Sequence, residues 1–89
     1  MNRYSIFICD IKLAQSHYAR LMVSPSTTEA DVWIWSYSRA GEIIGDGKAT
    51  KRLAAQVAAQ HMHEAWLNQD RERVSVRNRI HYRWEEVEY

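Results

Sequence analysis

The sequence predicts an α+β fold in which one antiparallel sheet of four to five strands packs against a single amphipathic helix, in the order β-β-β-β-α-β. Three observations support this prediction: short apolar or alternating segments in the first half of the chain, a segment with helical periodicity from Thr50 to about Gln69, and a strongly alternating segment near the carboxyl end. With 89 residues, the chain has room for one small core, so residues 1–89 are expected to form a single domain.

Four segments before the helix are candidates for strands. Arg3 to Cys9 is apolar on both of its faces, which indicates a strand in the middle of the sheet. Asp31 to Ser38 alternates aliphatic with aromatic residues, and Glu42 to Gly45 is expected to return as a shorter strand after the turn at Gly41. Gly45-Asp46-Gly47 is predicted to end this hairpin.

Residues 10–24 contain the fourth candidate and allow two interpretations. As a helix, they would present one apolar stripe that consists of Ile11, Ala14, Tyr18, Leu21 and Met22. As a strand, His17 to Val23 would form a hairpin with the first strand and leave Asp10 to Ser16 as a loop. The polar residues that interrupt the segment favour the strand, and the helix remains the alternative.

Thr50 is the predicted N-cap of the helix, since its hydroxyl can accept a hydrogen bond from an unpaired amide of the first turn. The face predicted to pack on the sheet is small and rich in alanine; it consists of Leu53, Ala54, Val57, Ala58, Met62 and Ala65. The face predicted to meet water is polar and consists of Gln56, Gln60, His63 and Asn68. His61 falls near the middle of the apolar face, where a hydrogen-bonded core histidine is the expected explanation.

The segment from Val74 to Trp84 alternates apolar with basic residues, which is typical of a half-buried strand. The apolar positions are Val74, Val76, Ile80, Tyr82 and Trp84, with Asn78 as the exception. The basic positions are Arg73, Arg77, Arg79, His81 and Arg83, with the neutral Ser75 among them. Residues 85–89 are then expected to close the chain as an acidic tail.

Composition and charge narrow the classes of function. Hydrophobic residues make up 46% of the chain and charged residues 26%, as in ordinary globular domains. The net charge of +1 provides no general attraction to nucleic acid or to anionic membranes. Cys9 is the only cysteine, which excludes an intramolecular disulfide and a thiolate metal cluster. No stretch resembles a signal peptide or a membrane span, so a soluble cytoplasmic protein without a membrane partner is expected.

Neither catalysis nor a cofactor is expected. Gly45-Asp46-Gly47-Lys48 is too short for a phosphate-binding P-loop. His61 and His63 lie two positions apart on the predicted helix and therefore point in nearly opposite directions, which prevents them from sharing a metal ion. A domain of this size also rarely encloses a deep pocket that excludes water. The chain is therefore predicted not to be an enzyme.

The middle of the chain carries a recognisable local pattern. Tyr37-Ser38-Arg39-Ala40-Gly41-Glu42-Ile43-Ile44, followed by Lys51 and by Ala54-Ala55, resembles the strand, Gly-Glu turn, strand and alanine-rich helix of the YegP-like small domains. The resemblance covers residues 32–66 and implies a hairpin packed against a helix. The tandem duplication that is common in that family is absent from this sequence, and the pattern contains no functional motif.

A single helix can cover only one side of the predicted sheet, yet the third strand is apolar on both sides. Val32 and Ile34 face one way, whereas the other side carries an aromatic row that consists of Trp33, Trp35 and Tyr37. Either the aliphatic side packs under the helix and the aromatic row faces outward, or the reverse holds. In both cases apolar surface is left over, and a contiguous exposed apolar patch usually marks a surface for a partner.

These observations predict a non-catalytic protein-binding module, itself a homo-oligomer, that acts by occupying a surface of a larger target protein. The residues expected to bind the partner are the aromatic row and the basic row, namely Trp33, Trp35, Tyr37, Arg73, Arg77, Arg79, His81 and Arg83, because aromatic and arginine side chains dominate interface energetics. In its size and its sheet-plus-helix layout the chain resembles the small inhibitors encoded by phages and mobile elements, such as anti-CRISPR proteins. The resemblance implies a bacterial defence complex as the target.

The alternative is a small nucleic-acid-binding or regulatory protein that uses the arginine-rich segment. Five arginines lie between Arg71 and Arg83, and arginine binds phosphate in a bidentate manner. The acidic residues around them and the small net charge favour the protein-binding hypothesis. A structural homodimer that needs no foreign partner is a third possibility.

Overall fold

The structure is a computed structural model that describes residues 4–13, 17–69 and 81–88. Its elements are β1 (Ser5–Lys12), β2 (Tyr18–Pro25), β3 (Trp33–Arg39), β4 (Glu42–Ala49), α1 (Arg52–Gln69) and β5 (Glu85–Glu88). The strands form one antiparallel sheet in the order β4-β3-β2-β1-β5, and α1 packs against β2, β3 and β4. The predicted α+β architecture and the order β-β-β-β-α-β are confirmed.

The strand interpretation of residues 10–24 is correct, and the helix is excluded. β1 continues to Lys12, so the predicted loop from Asp10 is shorter than expected. Phe7 lies opposite Val23, and Lys12 lies opposite Tyr18. The alternation of side chains thus persists through Asp10 and Lys12, which are tolerated because they lie on the side of the sheet away from the core.

The hairpin of β3 and β4 is longer than predicted. Its turn consists of Ala40 and Gly41, which both have positive φ angles, 50° and 83°, as in the two-residue turns that match the twist of a hairpin. β4 does not end at Gly45 but runs on to Ala49. Gly45 and Gly47 therefore lie inside the strand. Glycine is required at position 47 because a Cβ there would lie 2.6 Å from Nε1 of Trp35.

The helix presents a different face to the sheet from the one predicted. Ala55, Gln56, Ala59 and His63 are buried, whereas Leu53 is 65% exposed and Val57 is 44% exposed. Positions 53 and 55 are separated by about 160° around a helix, so the contact face is turned away from Leu53 and Val57. Of the predicted face, Met62 does pack against the core and Ala58 is half-buried. The apolar stripe was misassigned because alanine recurs on several sides of this helix.

The N-cap and the core histidine are also different from those predicted. The carbonyl of Lys51 accepts the amide of Ala55 at 3.0 Å, which makes Lys51 rather than Thr50 the N-cap. His63 is 2% exposed and lies in the core, and His61 is exposed. The predicted roles of the two histidines are therefore exchanged.

The core lies between α1 and one face of the sheet. Its two adjoining clusters consist of Cys9, Ala19, Leu21, Tyr37 and Ala59, and of Phe7, Val23 and Ala55. Trp35 and Trp84 are half-buried and pack against both clusters. The aromatic row of β3 is therefore on the covered side of the sheet, and Ile34, the aliphatic residue of β3, is on the other side.

The carboxyl-terminal strand lies later in the chain than predicted. Residues 74–80 are outside the described part of the structure, and residues 81–84 are not in a strand. The observed strand is Glu85–Glu88, the segment expected to be a tail, and it pairs with β1 so that Ile6 lies opposite Val87. Tyr82 and Trp84 nevertheless pack on the core, while His81 and Arg83 are exposed, as the alternation predicted.

Among the described residues, no helix combines the length and the apolar character needed to cross a membrane.

Replacing Gly47 with alanine is expected to lower the free energy of unfolding by about 1 to 3 kcal/mol, because the rigid indole ring of Trp35 occupies the space for a Cβ. The matched control is Gly45→Ala on the same strand, where the added Cβ would lie 2.7 Å from Cε of Met62. The smaller loss is expected there, because the flexible Met62 side chain can move aside. Urea unfolding followed by far-UV circular dichroism measures both, and equal losses would contradict a fixed Trp35 ring.

Candidate functional site

The face of the sheet opposite α1 is the candidate functional surface, and we call it the open face. Side chains alternate between the two faces of a strand, and the buried Phe7 and Cys9 point toward the helix. Ile6 and Ile8 of β1 therefore point to the open face, as does Met22 of β2. No described helix packs against this side of the sheet.

Strand register brings the aliphatic residues of the open face together. Ile6 lies opposite Val87 on one side of β1, and Ile8 lies opposite Met22 on the other. Ile34 lies opposite Ser24, which makes it the diagonal neighbour of Met22. We call this set the aliphatic patch: Ile6, Ile8, Met22, Ile34 and Val87. All five are only half-buried, so the patch extends across four strands with its outer surface accessible to a partner.

One end of the open face carries a shallow depression of about 440 Å³, lined by Asp10, Tyr18, Arg20, Ser38 and Gly41. Arg20 donates to Asp10 in a bidentate manner, with Nε to Oδ1 at 2.8 Å and Nη2 to Oδ2 at 3.0 Å. This hydrogen bond raises the pKa of Arg20. Because both side chains are well exposed, the pair contributes little to stability. Its effect is to hold a planar charged pair beside the exposed ring of Tyr18.

The charges around the aliphatic patch have both signs. Register places acidic Asp10, Asp46 and Glu85 and basic Lys12, Arg20 and Lys48 on the open face. Acidic and basic side chains thus alternate around the rim of the surface. Such a mixed rim around an apolar centre is typical of a protein-protein contact surface, whereas a phosphate backbone would be repelled by the acidic members.

Only five of the eight residues predicted from sequence to bind a partner lie in the described part of the chain, and the three on β3 are on the covered side of the sheet. Tyr37 is fully buried, and Trp33 and Trp35 are half-buried on the covered side of the sheet. His81 and Arg83 are exposed beside the core-packed Tyr82 and Trp84. The remaining basic residues, Arg73, Arg77 and Arg79, lie outside the described residues. From the sequence, an outward-facing aliphatic side of β3 was one of two alternatives. The signal for it was the alternation of Ile34, Ser36 and Ser38 with the aromatic residues of β3.

A buried polar network lies on the other side of the sheet. Arg39 donates from Nη1 to the hydroxyl of Tyr37 at 2.8 Å, and this hydroxyl lies 2.7 Å from Nδ1 of His63. The Tyr37 hydroxyl can donate to Nδ1 of a neutral His63 while it accepts from Arg39, an arrangement in which the His63 proton lies on Nε2. The guanidinium of Arg39 also lies over the ring of Trp66, at 5.2 Å from the centroid.

Electrostatics hold this network in one protonation state. Burial and, to a smaller extent, the positive charge of Arg39 lower the pKa of His63 from 6.5 to about 4, against the opposing charge of Glu64. Burial raises the pKa of Tyr37. Burial and a hydrogen bond of 2.8 Å to Glu64 raise the pKa of Tyr82. At neutral pH all three rings are therefore uncharged, and they join β3, α1 and residues 81–84.

Cys9, the single thiol of the chain, is also enclosed. Cys9 is 1% exposed, and burial raises the pKa of its thiol, which makes it a weak nucleophile. Within residues 4–13, 17–69 and 81–88, no group of three or more His, Cys, Asp or Glu side chains is placed to hold a metal ion.

Stability is expected to decline as pH falls from about 6.5 to about 4. His63 binds a proton more readily in the unfolded chain than in the folded one. Its contribution to the free energy of unfolding is therefore fully present above pH 6.5 and is lost on acidification, by about 3 kcal/mol in total. Urea unfolding at a series of pH values measures this slope.

The matched variants are His63→Gln and His61→Gln, which change a buried and an exposed histidine of the same helix. The first is expected to flatten the slope between pH 6.5 and 4, and the second to leave it as in the original chain. A His63→Gln variant with an unchanged slope would show that His63 is not the group responsible.

No family model, curated protein or solved structure matches this chain. The function proposed below therefore depends on the residues and their geometry.

Proposed function

We propose that this protein is a non-catalytic protein-binding module that acts by occupying a surface of a larger target protein. The observation that carries the proposal is the aliphatic patch on the open face. Ile8 and Met22 at its centre lie opposite each other on β1 and β2, two strands inside the sheet, with Glu85 beyond Ile8 and Ser36 beyond Met22. A contiguous apolar surface on a small domain usually marks a contact with another protein.

The size of the open face fits such a contact. Five strands at about 4.8 Å spacing give a face roughly 20 Å wide, and strands of about eight residues give a similar or greater length. With its side chains, a surface of this size can supply most of the roughly 800 Å² that one partner contributes to a standard interface. The apolar centre and charged rim match the usual arrangement of such interfaces.

The buried network supports a binding role because it makes the surface rigid. Tyr37 and His63 link the covered side of β3 to α1, so the strands that carry the patch are held from behind. A surface that is already ordered loses less conformational entropy when it binds. The same burial keeps His63 away from any substrate, which favours binding over catalysis.

The specific form that we propose is an inhibitor of the kind that phages and mobile elements encode, with a bacterial defence complex as the target. This form is supported by the small size, by the sheet-plus-helix layout and by a surface suited to cover part of another protein. Nucleic-acid binding by the open face has less support, since the acidic residues Asp10, Asp46 and Glu85 lie there among the basic ones.

Introducing charge into the aliphatic patch is expected to weaken target binding at least tenfold, which corresponds to about 1.4 kcal/mol. Ile8→Lys and Met22→Glu are the variants, because each places a charge where an apolar contact would form. The target is captured from a bacterial lysate with the original chain and identified by mass spectrometry, and its affinity for each variant is then measured by biolayer interferometry.

The matched controls are Leu53→Glu and Val57→Lys, which change exposed apolar residues on the outer side of α1. They are expected to bind as the original chain does, and circular dichroism must show that all four variants are folded. Binding that survives in the patch variants but is lost in the helix variants would overturn the proposal.

A further inference from the structure

The outer edge of β4 carries backbone N–H and C=O groups that pair with no described strand. β4 is the last strand of the sheet on its side, and no described strand pairs with its outer edge. Its register with β3 is interrupted between Ile43 and Gly45, but residues 45–49 pair regularly with β3 and contain no proline, so their outward backbone groups can join a further strand. Natural edges of this length are usually shortened, interrupted or charged, because they otherwise pair with another chain.

The charged residues on this edge allow two antiparallel copies of β4 to attract each other. Asp46 and Lys48 are both exposed, and their register partners on β3, Ser36 and Ile34, place both on the open face. They lie on either side of Gly47. If two β4 strands run antiparallel with Gly47 opposite Gly47, Asp46 of each strand lies opposite Lys48 of the other, which gives two attractive cross-strand pairs.

No nearby register gives this match. In an antiparallel pair, backbone hydrogen bonding and side-chain direction permit only shifts of two residues. A shift of two in one direction centres the pair on Asp46 and places the two carboxylates opposite each other. A shift in the other direction centres it on Lys48 and places the two ammonium groups opposite each other. The Gly47-centred register is therefore selected by charge as well as by geometry.

We propose that this edge pairs with a second copy of the same chain, through residues 45–49 of both copies in the Gly47-centred register. The small residues of β4 favour the pairing on the covered side, where Gly45 lies opposite Ala49 and the two Gly47 residues meet without a Cβ. The pairing joins the two five-stranded sheets into one continuous sheet. Because paired residues share a face, the two open faces lie side by side and form one surface twice as wide. The self-pairing does not depend on the proposed function, although it would enlarge the surface that binds the target.

Lys48 has a second partner within its own chain, since its Nζ contacts Oε1 of Glu29. Both side chains of this pair are about half exposed or more, so the contact is weak and does not prevent Lys48 from reaching Asp46 of a second copy. This contact provides a control. Glu29→Gln removes it without changing the charges on the edge and is expected to leave self-association intact.

Charge exchange tests the register. Asp46→Lys and Lys48→Asp each place like charges opposite one another at both pairs, so each is expected to weaken the dimer by roughly tenfold or more. The double variant Asp46→Lys/Lys48→Asp restores opposite charges and is expected to dimerise as the original chain does. A mixture of the two single variants is expected to form a heterodimer, since every pair then joins opposite charges.

Sedimentation velocity of the whole chain over a concentration series from about 1 µM to 1 mM measures all of these species, and circular dichroism confirms that each is folded. Three results would overturn the proposal: an original chain that stays monomeric at the highest concentration, single variants that associate as well as the original, or a double variant that fails to recover association. Target binding is measured separately, so loss of the dimer and loss of the target contact are distinguishable.

Discussion

The hydrogen bond between Tyr37 of β3 and His63 of α1 is the contact on which the rest of the structure depends. It joins two buried polar side chains that are 26 positions apart in the chain, and separating them would remove the partner of Nδ1 of His63 and leave the Tyr37 hydroxyl with Arg39 alone. An unpaired buried polar group costs roughly 1 to 3 kcal/mol, a large fraction of the stability of a small domain. The bond therefore sets the rotation of α1 about its axis and determines which face of β3 is covered. The position of the aliphatic residues on the uncovered side follows directly.

Small residues make room for this contact. Ala55 and Ala59 are fully buried beneath the sheet, and Gly47 of β4 accommodates the ring of Trp35. The volume of the core thus comes mainly from the aromatic residues of the sheet rather than from the helix. If the helix contributed Leu53 and Val57 to the same layer, it would have to stand farther from β3, which would separate Tyr37 from His63. The exposure of those two residues is the consequence of the close approach.

A one-sided core of this kind has functional consequences. The covered side uses the tryptophans and Tyr37 of β3, which would otherwise be the obvious anchors of an interface. The open face is left with aliphatic residues, Tyr18 at one end and a rim of mixed charge. A binding role consequently depends on shape and on apolar area spread over several strands rather than on one aromatic anchor. The outer edge of β4, with which no described strand pairs, results from the same arrangement, because α1 packs over one face of β4 and does not occupy its outer side.

Much of this fold can be predicted from local patterns. The alternation in β1, β2 and β3, and the helical segment from residue 52, depend on residues that are neighbours in the chain, so the amino-acid sequence by itself determines their type and order. The continuation of β4 through Gly45 and Gly47 is not determined in this way, because the reason for those glycines is the presence of Trp35 and Met62, which arrive from β3 and α1. Likewise, an alanine-rich helix offers several possible contact faces. The choice of His63 over His61, and with it the identity of the open face, requires the volumes of side chains from three separate elements to be packed into one layer.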